Sequence, residues 1–427
     1  MKLTELYDLY LQHPTVTTDS RNCPAGSIFF ALKGERFDGN KYAEGALASG
    51  AAYAVIDNAE YKSSERMILV DDVLSTLQQL ARLHRHTLGI PVIGITGTNG
   101  KTTTKELLAA VLSRKYNLLY TAGNLNNQIG VPLTILKMTA QHEMAVIEMG
   151  ANHPGDIKEL VEIAAPNYGL ITNVGRAHLE GFGSFEGVMK TKGELYDFIR
   201  HNGGKIFLNA SNPYLPAMAN GLESITYGTG CDCFVYGEET ECNPFLSFSW
   251  TGSGNTYNVK THLIGSYNLD NLLAAVAVGS YFGVPAEAIN NALESYMPTN
   301  NRSQFKQTER NSLIIDAYNA NPSSMKVAID NFAAMKGLPK AVVLGDMKEL
   351  GPESDALHLE VVEQLRRYGF DKVYLCGEHF SNVASGFSPF ATTADMVEAL
   401  KKDNLSGYYI LIKGSHSMGL EKVGEML

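Results

Sequence analysis

The stretch Pro91-Val-Ile-Gly-Ile-Thr-Gly-Thr-Asn-Gly-Lys-Thr-Thr-Thr104 decides the fold of this chain. Residues 91–96 have the apolar pattern of a short buried strand, and a helical pattern runs from Thr102 to Lys115. Between them, two glycines let successive backbone N–H groups face one point, to which the following helix adds its positive end. Lys101 supplies a cation, and the Thr102 hydroxyl is placed to ligate Mg²⁺. The stretch therefore predicts a phosphate-binding loop between a strand and a helix.

The loop does not match the full Walker A pattern, because Ile95 stands where the first glycine would fall. A bare Gly-Lys-Thr also occurs in structural turns, but here a strand signal precedes it and a helix signal follows it. We therefore interpret the loop as a nucleotide site. Its predicted nucleotide contacts are Gly97, Thr98, Asn99, Gly100, Lys101, Thr102 and Thr103.

Composition restricts the partners of the protein. Lys and Arg number 35 against 45 Asp and Glu, which gives a net charge of -10, and no long basic run interrupts this balance, so we expect no nucleic-acid partner. No apolar run approaches the ~20 residues of a spanning helix, and the N-terminus lacks a signal-peptide pattern, so we expect no membrane insertion. The five cysteines, an odd number, indicate reduced thiols in the cytoplasm. Cys231, Cys233 and Cys242 have the wrong spacing for a zinc site and are interpreted as structural or incidental thiols.

With 427 residues the chain is too long for one ordinary core, and strand-like runs alternate with helical patterns along most of it. We therefore expect an α/β protein of three domains. Residues 1–85 form a small N-terminal α/β domain, and residues 86–302 form a doubly wound parallel sheet that carries the phosphate loop. Residues 303–427 form a C-terminal Rossmann-like domain. Within the second domain, residues 227–260 have hairpin character.

Two candidate metal ligands follow predicted strands of the central domain. Glu148 comes after the apolar run 145–147, and His178 comes after the strand predicted at 169–174. In an open α/β sheet, ligands bind beyond the carboxyl ends of the strands. Mg²⁺ prefers carboxylate and hydroxyl oxygens over imidazole, so a lone His178 taken by itself favours a hydrogen-bonded loop histidine.

Four segments, in this order along the chain, resemble signatures of the Mur ligases and the related folylpolyglutamate synthetases. They are residues 96–104, 122–132, 148–153 and 172–180. The resemblance extends over essentially the whole chain, and it implies an amide-forming enzyme that cleaves ATP to ADP with two Mg²⁺ ions. It also makes His178 a metal ligand together with Thr102, Glu148 and Lys192, the last as a carbamate. Lys190 is the alternative register for the carbamylated lysine.

The resemblance also implies contacts on the adenine side of the nucleotide. Asn268 and Asn271 match the family pattern, although Tyr267 replaces the usual histidine. Asparagine at a helix start is often only a cap, so this alternative remains open. Arg302 aligns with an arginine at the hinge into the last domain and could reach ATP phosphates, although Asn301 replaces the usual glycine and a surface salt bridge is the alternative.

Two further regions are similar to substrate regions of the family members that add the later residues of the stem peptide, and the second of them resembles the dipeptide-adding type. Residues 19–21 and 31–40 resemble a UDP-binding region, which implies a role for Ser20, Arg21, Lys33 and Asp38, together with Asn127 and Arg176. Residues 316–325 and 344–351 resemble the segment that receives D-alanyl-D-alanine. The implied dipeptide contacts are Asp316, Asn319, Asn321, Lys413 and Ser415, although the first three could equally form Asx turns.

The resemblance therefore implies a ligase that joins D-Ala-D-Ala to a UDP-MurNAc-tripeptide through an acyl phosphate, in peptidoglycan precursor synthesis. We expect a monomer with these two small molecules as its partners. One alternative is a member of the family that adds the third amino acid of the stem peptide. The other is a nucleotide-binding protein without ligase activity.

Overall fold

The computed structural model describes residues 1–230, 232–299 and 301–427, which leaves Cys231 and Asn300 outside the described residues. Three α/β domains follow one another along the chain, each built on a sheet rich in parallel strands. The strands are β1 Val16–Thr17, β2 Ile28–Phe30, β3 Lys33–Gly34, β4 Phe37–Asp38, β5 Tyr53–Ile56, β6 Met67–Leu69, β7 Val92–Thr96, β8 Leu118–Tyr120, β9 Met144–Glu148, β10 Tyr168–Ile171, β11 Lys205–Asn209, β12 Glu223–Gly228, β13 Val235–Cys242, β14 Phe245–Gly252, β15 Asn255–Ile264, β16 Gln304–Gln307, β17 Ser312–Asp316, β18 Lys340–Gly345, β19 Lys372–Cys376 and β20 Tyr409–Lys413.

The α-helices are α1 Leu3–Gln12, α2 Ala43–Ala48, α3 Val73–Leu88, α4 Lys101–Leu112, α5 Gly130–Ile135, α6 Asp156–Ala164, α7 Leu179–Phe182, α8 Phe185–His201, α9 Leu215–Met218, α10 Leu269–Tyr281, α11 Ala286–Ser295, α12 Pro322–Ala334, α13 Ser354–Tyr368, α14 Glu378–Val383 and α15 Thr393–Asp403. Short 3-10 helices lie at Gly39–Tyr42, Ala59–Tyr61, Ser266–Asn268, Gly351–Glu353, His416–Met418 and Leu420–Glu425. No helix in the described ranges is long and apolar enough to cross a membrane.

The N-terminal domain is a parallel sheet of order β1-β2-β5-β6, with β3 and β4 forming a separate antiparallel hairpin. Helix α3 leads from this sheet to the central domain and packs against α1 on one side and α5 and α6 on the other. The boundary expected between residues 85 and 86 falls inside this helix and stays a prediction.

The central sheet has the order β15-β14-β13-β12-β11-β10-β7-β9-β8, and every pairing from β8 to β13 is parallel. Strands β7 and β9 are buried along their full length, as their continuous apolar sequences indicated. From β7 the chain goes to the edge strand β8, returns to β9 beside β7, and then crosses to β10 and β11 on the other side of β7. This reversal of strand order opens a crevice at the carboxyl end of β7, where an open α/β sheet binds its ligand.

Strands β13, β14 and β15 extend the central sheet as an antiparallel ribbon, which confirms the hairpin character expected in residues 227–260. The ribbon also supports the C-terminal domain. The Phe245 ring lies 5.3 Å from the ring of Phe305 in β16, and Asn331 of α12 accepts hydrogen bonds from Cys242 Sγ at 3.8 Å and from the Ser266 N–H at 3.3 Å.

The C-terminal sheet has the order β16-β17-β20-β18-β19, in which β16 is an antiparallel edge and the other pairings are parallel. Its register places Asp316, the last residue of β17, opposite Lys413, the last residue of β20. These two predicted dipeptide residues therefore share one edge of the sheet.

Two element ends differ from the sequence-based expectation at the central crevice. Helix α4 begins at Lys101, one position before the expected Thr102, because Gly100 at φ +79° ends the loop as the N-cap. Strand β10 ends at Ile171 and not at Val174, because the chain leaves the sheet there and crosses the phosphate loop, where the Asn173 carbonyl accepts from the Thr98 N–H at 3.0 Å.

Candidate active site

The phosphate loop joins β7 to α4 in a conformation that only glycine permits at two positions. Gly97 has φ +144°, and a Cβ on it would lie 2.0 Å from Thr172 Oγ1. A Cβ on Gly100, at φ +79°, would lie 2.6 Å from Asn271 Oδ1. The glycines are therefore required both by backbone conformation and by the close approach of neighbouring polar side chains.

Lys101 folds back over the loop, as the first residue of α4. Its Nζ donates to the carbonyls of Gly97 at 2.7 Å and Thr98 at 3.0 Å. The pKa of Lys101 is lowered to about 8, mainly by burial, with the Glu148 carboxylate opposing the shift and the Arg302 guanidinium adding to it. The ammonium is thus held over the loop by two carbonyls alone, and a phosphate oxygen placed there can take their place.

Glu148 ends β9 beside the start of α4 and is 1% exposed. Its Oε1 accepts from Thr102 Oγ1 at 3.1 Å and from Asn126 Nδ2 at 2.8 Å. Its Oε2 is buried without a hydrogen bond, and the nearest cation is Lys105 Nζ at 3.8 Å. A buried carboxylate oxygen without a hydrogen-bond partner indicates a site for a further positive group.

This donor set fits Mg²⁺. Glu148 and Thr102 offer a carboxylate and a hydroxyl oxygen, and Mg²⁺ in nucleotide sites is bound by one or two carboxylates together with substrate phosphates and water. In the described parts of the chain, no three His, Cys, Asp or Glu side chains converge as a closed metal cage. The arrangement therefore suits an ion shared with a nucleotide better than a structural ion.

Lys192 lies in the middle of α8 and is 2% exposed. Its Nζ is 5.3 Å from the centre of the Phe182 ring. Burial lowers the pKa of Lys192 well below its ordinary value, and the nearby Lys101 lowers it further, while Asp156 and Glu194 oppose the shift. A lower pKa increases the share of neutral, nucleophilic amine at Lys192, whereas Lys190 is exposed; the carbamate on Lys192 stays a prediction.

His178 adopts a left-handed conformation with φ +50°, directly before α7. Its Nδ1 hydrogen-bonds Oε2 of Glu349, which also has a positive φ of 63° and belongs to the C-terminal domain. Burial lowers the pKa of His178, and the nearby Glu349 carboxylate opposes that shift. The predicted metal ligand is thus a point of contact between two domains.

The residues expected on the adenine side form a buried hydrogen-bond chain behind the loop. Asn268 Nδ2 donates to the Ile264 carbonyl at 2.8 Å, and Asn271 Nδ2 donates to Asn268 Oδ1 at 2.8 Å. Thr104 Oγ1 of α4 completes the chain by donating to Asn271 Oδ1 at 3.0 Å. The amides therefore order the start of α10 against α4, and their contact with adenine stays a prediction.

Tyr267 and Arg302 stand at the passage from the central to the C-terminal domain. Tyr267, which replaces the histidine of the family pattern, shares a hydrogen bond of 2.7 Å with Ser303. The Arg302 guanidinium lies 3.8 Å from the centre of the Tyr318 ring, a stacking distance. Both residues face the cleft between the domains.

The candidate dipeptide residues form an ion pair at the end of the C-terminal sheet. Lys413 Nζ, on a side chain that is 2% exposed, contacts Asp316 Oδ2 at 2.5 Å and the Asn319 carbonyl at 3.3 Å. The pair offers one negative and one positive group side by side. That arrangement complements a small zwitterion, which carries both charges itself.

Asn321 and Ser415 act differently from the pair. Asn321 caps α12, with its Oδ1 accepting from the Ser324 N–H at 2.8 Å, and it donates through Nδ2 to Asn99 Oδ1 at 2.8 Å. Ser415 Oγ accepts from the Lys348 N–H at 3.0 Å. Both side chains thus hold backbone or loop groups in place.

The phosphate loop and the ion pair open into one cleft of about 720 Å³ between the central and C-terminal domains. Most predicted site residues line it; these are Thr98, Asn99, Gly100, Lys101, Thr102, Thr103, Asn127, Glu148, His178, Asn268, Asn271, Arg302, Asp316, Asn319, Asn321 and Lys413. The lining does not include Gly97, Ser20, Arg21, Lys33, Asp38, Arg176, Lys192 or Ser415.

Three of the residues expected to bind UDP, Arg21, Lys33 and Asp38, have partners inside the N-terminal domain. Arg21 forms a two-point contact with Asp19, with both N–O distances at 2.9 Å. Lys33 Nζ pairs with Asp57 at 2.8 Å, and the Asp38 carboxylate accepts from Asn40. Their role toward a nucleotide sugar stays a prediction.

Sequence reasoning missed several polar residues of the cleft, although two lay within segments that it singled out. Asn126, in the segment 122–132, donates a hydrogen bond to Glu148. Asn173, in the segment 172–180, accepts from the Asn99 N–H and donates to the Asn99 carbonyl. Lys105, one helical turn after Lys101, does not line the cleft but places its Nζ 3.8 Å from Glu148 Oε2, and it was not selected at all. The regular spacing of the two lysines on α4 was the one signal that could have found it.

Comparison with known proteins agrees with this geometry. Three family models match consecutive parts of the chain: "Mur ligase family, catalytic domain" over residues 14–85, "Mur ligase middle domain" over residues 95–279, and "Mur ligase, glutamate ligase domain" over residues 301–416. The chain belongs to the Mur ligase family and is an ATP-dependent, amide-forming ligase, which confirms the resemblance seen in its motifs.

Its curated relatives include the UDP-N-acetylmuramoyl-tripeptide--D-alanyl-D-alanine ligase of Bacillus subtilis (strain 168), which is 36% identical over 96% of this chain and 92% of its own length. The enzyme of the same name from Escherichia coli (strain K12) is 37% identical over the same shares. Among solved structures, a MurF crystal structure from Acinetobacter baumannii superimposes with a TM-score of 0.88 at 31% identity, covering 97% of this chain and 93% of that one. A MurF ligase from Thermotoga maritima in complex with ADP gives a TM-score of 0.87 at 28% identity, covering 100% of this chain and 98% of that one.

Proposed function

We propose that this ligase joins D-alanyl-D-alanine to the terminal carboxylate of a UDP-MurNAc-tripeptide, with cleavage of ATP to ADP and phosphate, as a step of peptidoglycan precursor synthesis. The observation that carries the proposal is the shared cleft. One wall holds the phosphate loop and Glu148, and the other holds the Asp316–Lys413 pair. The relatives that carry this reaction in their names match nearly the full length of the chain.

The reaction needs activation, because a carboxylate and an amine do not form an amide readily in water. A carboxylate oxygen of the tripeptide attacks the γ-phosphorus, the bond to ADP breaks, and an acyl phosphate results. The free amine of the dipeptide then attacks the acyl carbon, and phosphate leaves with the electrons of the C–O bond. The carbonyl-bound ammonium of Lys101 and the loop N–H groups would position the transferred phosphoryl group and disperse its charge.

The C-terminal domain supplies the amine. In the proposed complex, Asp316 binds the dipeptide ammonium and Lys413 binds its carboxylate. These two contacts replace the ion pair that Asp316 and Lys413 form with each other. A loss of the ammonium proton must precede attack, and a half-buried carboxylate beside the amine can accept it. Enclosure between two domains keeps water from the acyl phosphate, which water would hydrolyse.

Thr102 and Glu148 would hold Mg²⁺, with His178 and the Lys192 carbamate proposed for a second ion. When bound, Mg²⁺ neutralises charge on the nucleotide phosphates and on the transferred group. Asn126 fixes the Glu148 carboxylate for this task through its hydrogen bond to Oε1. The carbamate would form between Lys192 Nζ and CO₂ with loss of one amine proton, and it converts a cation into a carboxylate-like anion.

We also propose that the remaining site residues act as the motif resemblance implies. Asn268, Asn271 and Arg302 would contact the nucleotide, and Ser20, Arg21, Lys33, Asp38, Asn127 and Arg176 the UDP-sugar peptide. The protein would work as a monomer in the cytoplasm, where ATP and both substrates are available. Three domains fill the roles of sugar binding, phosphoryl transfer and amine binding in the order 1–85, 86–302 and 303–427.

The test is ADP release measured with purified protein, ATP, Mg²⁺ and UDP-MurNAc-tripeptide. With D-Ala-D-Ala present, we expect ADP and the ligated product in equal amounts. When a UDP-MurNAc-dipeptide with meso-diaminopimelate or L-lysine replaces both substrates, we expect ADP release to be much slower. ATP turnover that is indifferent to both substrates would refute the ligase proposal. Product formation only with the single amino acid would assign the preceding ligase step.

A further inference from the structure

The phosphate loop is in direct contact with the amine-binding domain through one pair of side chains. Asn321 Nδ2 donates to Asn99 Oδ1 at 2.8 Å, across 222 residues of sequence. Asn99 stands between the two glycines of the loop, and Asn321 is the residue that starts α12 in the C-terminal domain. A side chain of the nucleotide site thus meets the helix that follows the proposed dipeptide residues.

The Asn99 side chain has its direction set by the loop. Its N–H donates to Asn173 Oδ1 at 2.9 Å, and its carbonyl accepts from Thr172 Oγ1 at 2.6 Å and from Asn173 Nδ2 at 3.0 Å. With both backbone groups held, only the side-chain amide remains to contact another domain. A ligand that fixes the loop backbone therefore fixes the point from which this side chain extends to Asn321.

The Asn321 side chain is equally constrained. It is 6% exposed, and its Oδ1 accepts from the Ser324 N–H at 2.8 Å, while its own N–H donates to Ser324 Oγ at 3.1 Å. This capping box uses the carbonyl side of the amide, so the Nδ2 side is directed away from the helix and toward Asn99. The first turn of α12 makes a second contact with the central domain, in which the Arg176 N–H donates to Ser323 Oγ at 3.1 Å.

We propose that Asn321 is a positioning residue that couples the phosphate loop to the amine site, so that nucleotide on the loop raises the affinity for the dipeptide. The inference rests on the proposed function. Asp316 and Asn319 lie on the segment that leads into α12, and the Asn99–Asn321 bond fixes where that segment stands relative to the loop. Asn321 therefore acts on the dipeptide through Asp316 and Asn319 and not by touching it.

The experiment measures this coupling by calorimetry on the full-length protein. D-Ala-D-Ala is titrated with UDP-MurNAc-tripeptide and Mg²⁺ present, once without nucleotide and once with a non-hydrolysable ATP analogue. We expect the analogue to tighten dipeptide binding by about fivefold or more in the wild-type protein, the scale of one coupled hydrogen bond. In Asn321→Ser, which keeps an N-cap but cannot reach Asn99, the ratio should fall toward one.

Two further variants separate coupling from helix stability. Ser324→Ala removes the capping-box hydroxyl and leaves the Nδ2 bond intact, so its ratio should stay at the wild-type value. In an Asn99→Ala background, Asn321→Ser should have no additional effect on the ratio, because the bond is already lost. In steady state, Asn321→Ser should raise KM for the dipeptide more than it lowers kcat.

The outcomes distinguish the two levels of the proposal. Three results would overturn the coupling role while the ligase function stands. They are an unchanged affinity ratio in Asn321→Ser, an equal fall of the ratio in Asn321→Ser and Ser324→Ala, and independent effects of the Asn99 and Asn321 substitutions on the ratio. Absence of dipeptide binding under every condition would instead remove the proposed function and the inference with it.

Discussion

A buried amine at Lys192 gives the sharpest expectation at the scale of single residues. Because burial and Lys101 hold its pKa well below the ordinary value, the neutral amine that reacts with CO₂ is more populated than in an exposed lysine. We expect Lys192→Ala to lower kcat by roughly a hundredfold, as loss of one preorganised charged group does. Added acetate or propionate should restore part of the rate, measured as ADP release.

The exposed Lys190 is the matched control, two positions earlier on α8. Lys190→Ala should keep the wild-type rate. The carbamate itself can be observed by NMR after equilibration with ¹³C-bicarbonate, with a signal that Lys192→Ala abolishes and Lys190→Ala does not. Full activity in Lys192→Ala would exclude the role.

Lys105 is a second buried lysine, and it compensates the charge of the buried Glu148 carboxylate. Its side chain is fully buried, with Nζ 2.9 Å from Glu106 Oε1 and 3.8 Å from Glu148 Oε2. Removing one member of a buried charged cluster leaves its partner uncompensated, so Lys105→Met should lower the free energy of unfolding by about 3 kcal/mol in the absence of Mg²⁺. Urea denaturation measures this loss.

Added Mg²⁺ should stabilise Lys105→Met more than the wild-type protein, because the ion then supplies the missing positive charge at Glu148. The surface variant Lys137→Met, on an exposed side chain, controls for the loss of a lysine. Equal stabilisation of Lys105→Met and wild type by Mg²⁺ would mean that Lys105 does not compensate Glu148.

At the scale of elements, Arg85 joins two helices. It lies near the end of α3, and its guanidinium donates to the Ala164 and Ala165 carbonyls at the end of α6, at 2.9 and 3.0 Å. Burial lowers the pKa of Arg85 to about 10. Because these are charged hydrogen bonds to otherwise unpaired helix carbonyls, Arg85→Ala should lower the free energy of unfolding by about 2 kcal/mol.

Arg82, one turn earlier on the same helix, provides the comparison. Its side chain is 53% exposed and pairs with Glu162 at 3.2 Å, a surface contact worth about 1 kcal/mol or less. Chemical denaturation of the two alanine variants should therefore separate them clearly. A loss for Arg82→Ala as large as that for Arg85→Ala would contradict the capping role.

The elements that could be predicted from sequence are those whose signal is local. Strand β7, the phosphate loop and α4 follow within a few residues of each other, and Ile95, which breaks the Walker A pattern, is simply a fully buried strand residue. Glu148 was found for the same reason, at the end of an apolar strand. By contrast, the His178–Glu349 contact spans 171 residues and depends on how two domains sit together, which no local pattern encodes.

At the scale of the whole molecule, the contact between His178 and Glu349 is one of several that hold the C-terminal domain on the central domain. Glu349→Ala removes this hydrogen bond, so we expect the ratio of docked to undocked molecules to fall by about fivefold. Small-angle scattering should then show a larger radius of gyration for the free enzyme. Glu353→Ala, on an exposed side chain nearby, should leave the scattering unchanged.

Hydrogen exchange gives an independent measure of the same docking. Amides of residues 178–182 and 349–351 should exchange faster in Glu349→Ala, while those of α13 keep their protection. Identical scattering and exchange for Glu349→Ala and the wild-type protein would show that other contacts suffice to hold the domain.

Helix α12 and its N-cap contact the central domain near both ends, through Asn331 on the antiparallel ribbon and through Asn321 and Ser323 beside the phosphate loop. The ten positions from Asn321 to Asn331 correspond to about 15 Å of helix, so a rotation of about 10° around Asn331 moves Asn321 by roughly 2.6 Å. That displacement is close to the length of the 2.8 Å bond to Asn99 itself. A small tilt of the helix about Asn331 can therefore keep the contact with the ribbon and still break the hydrogen bond between Asn321 and Asn99.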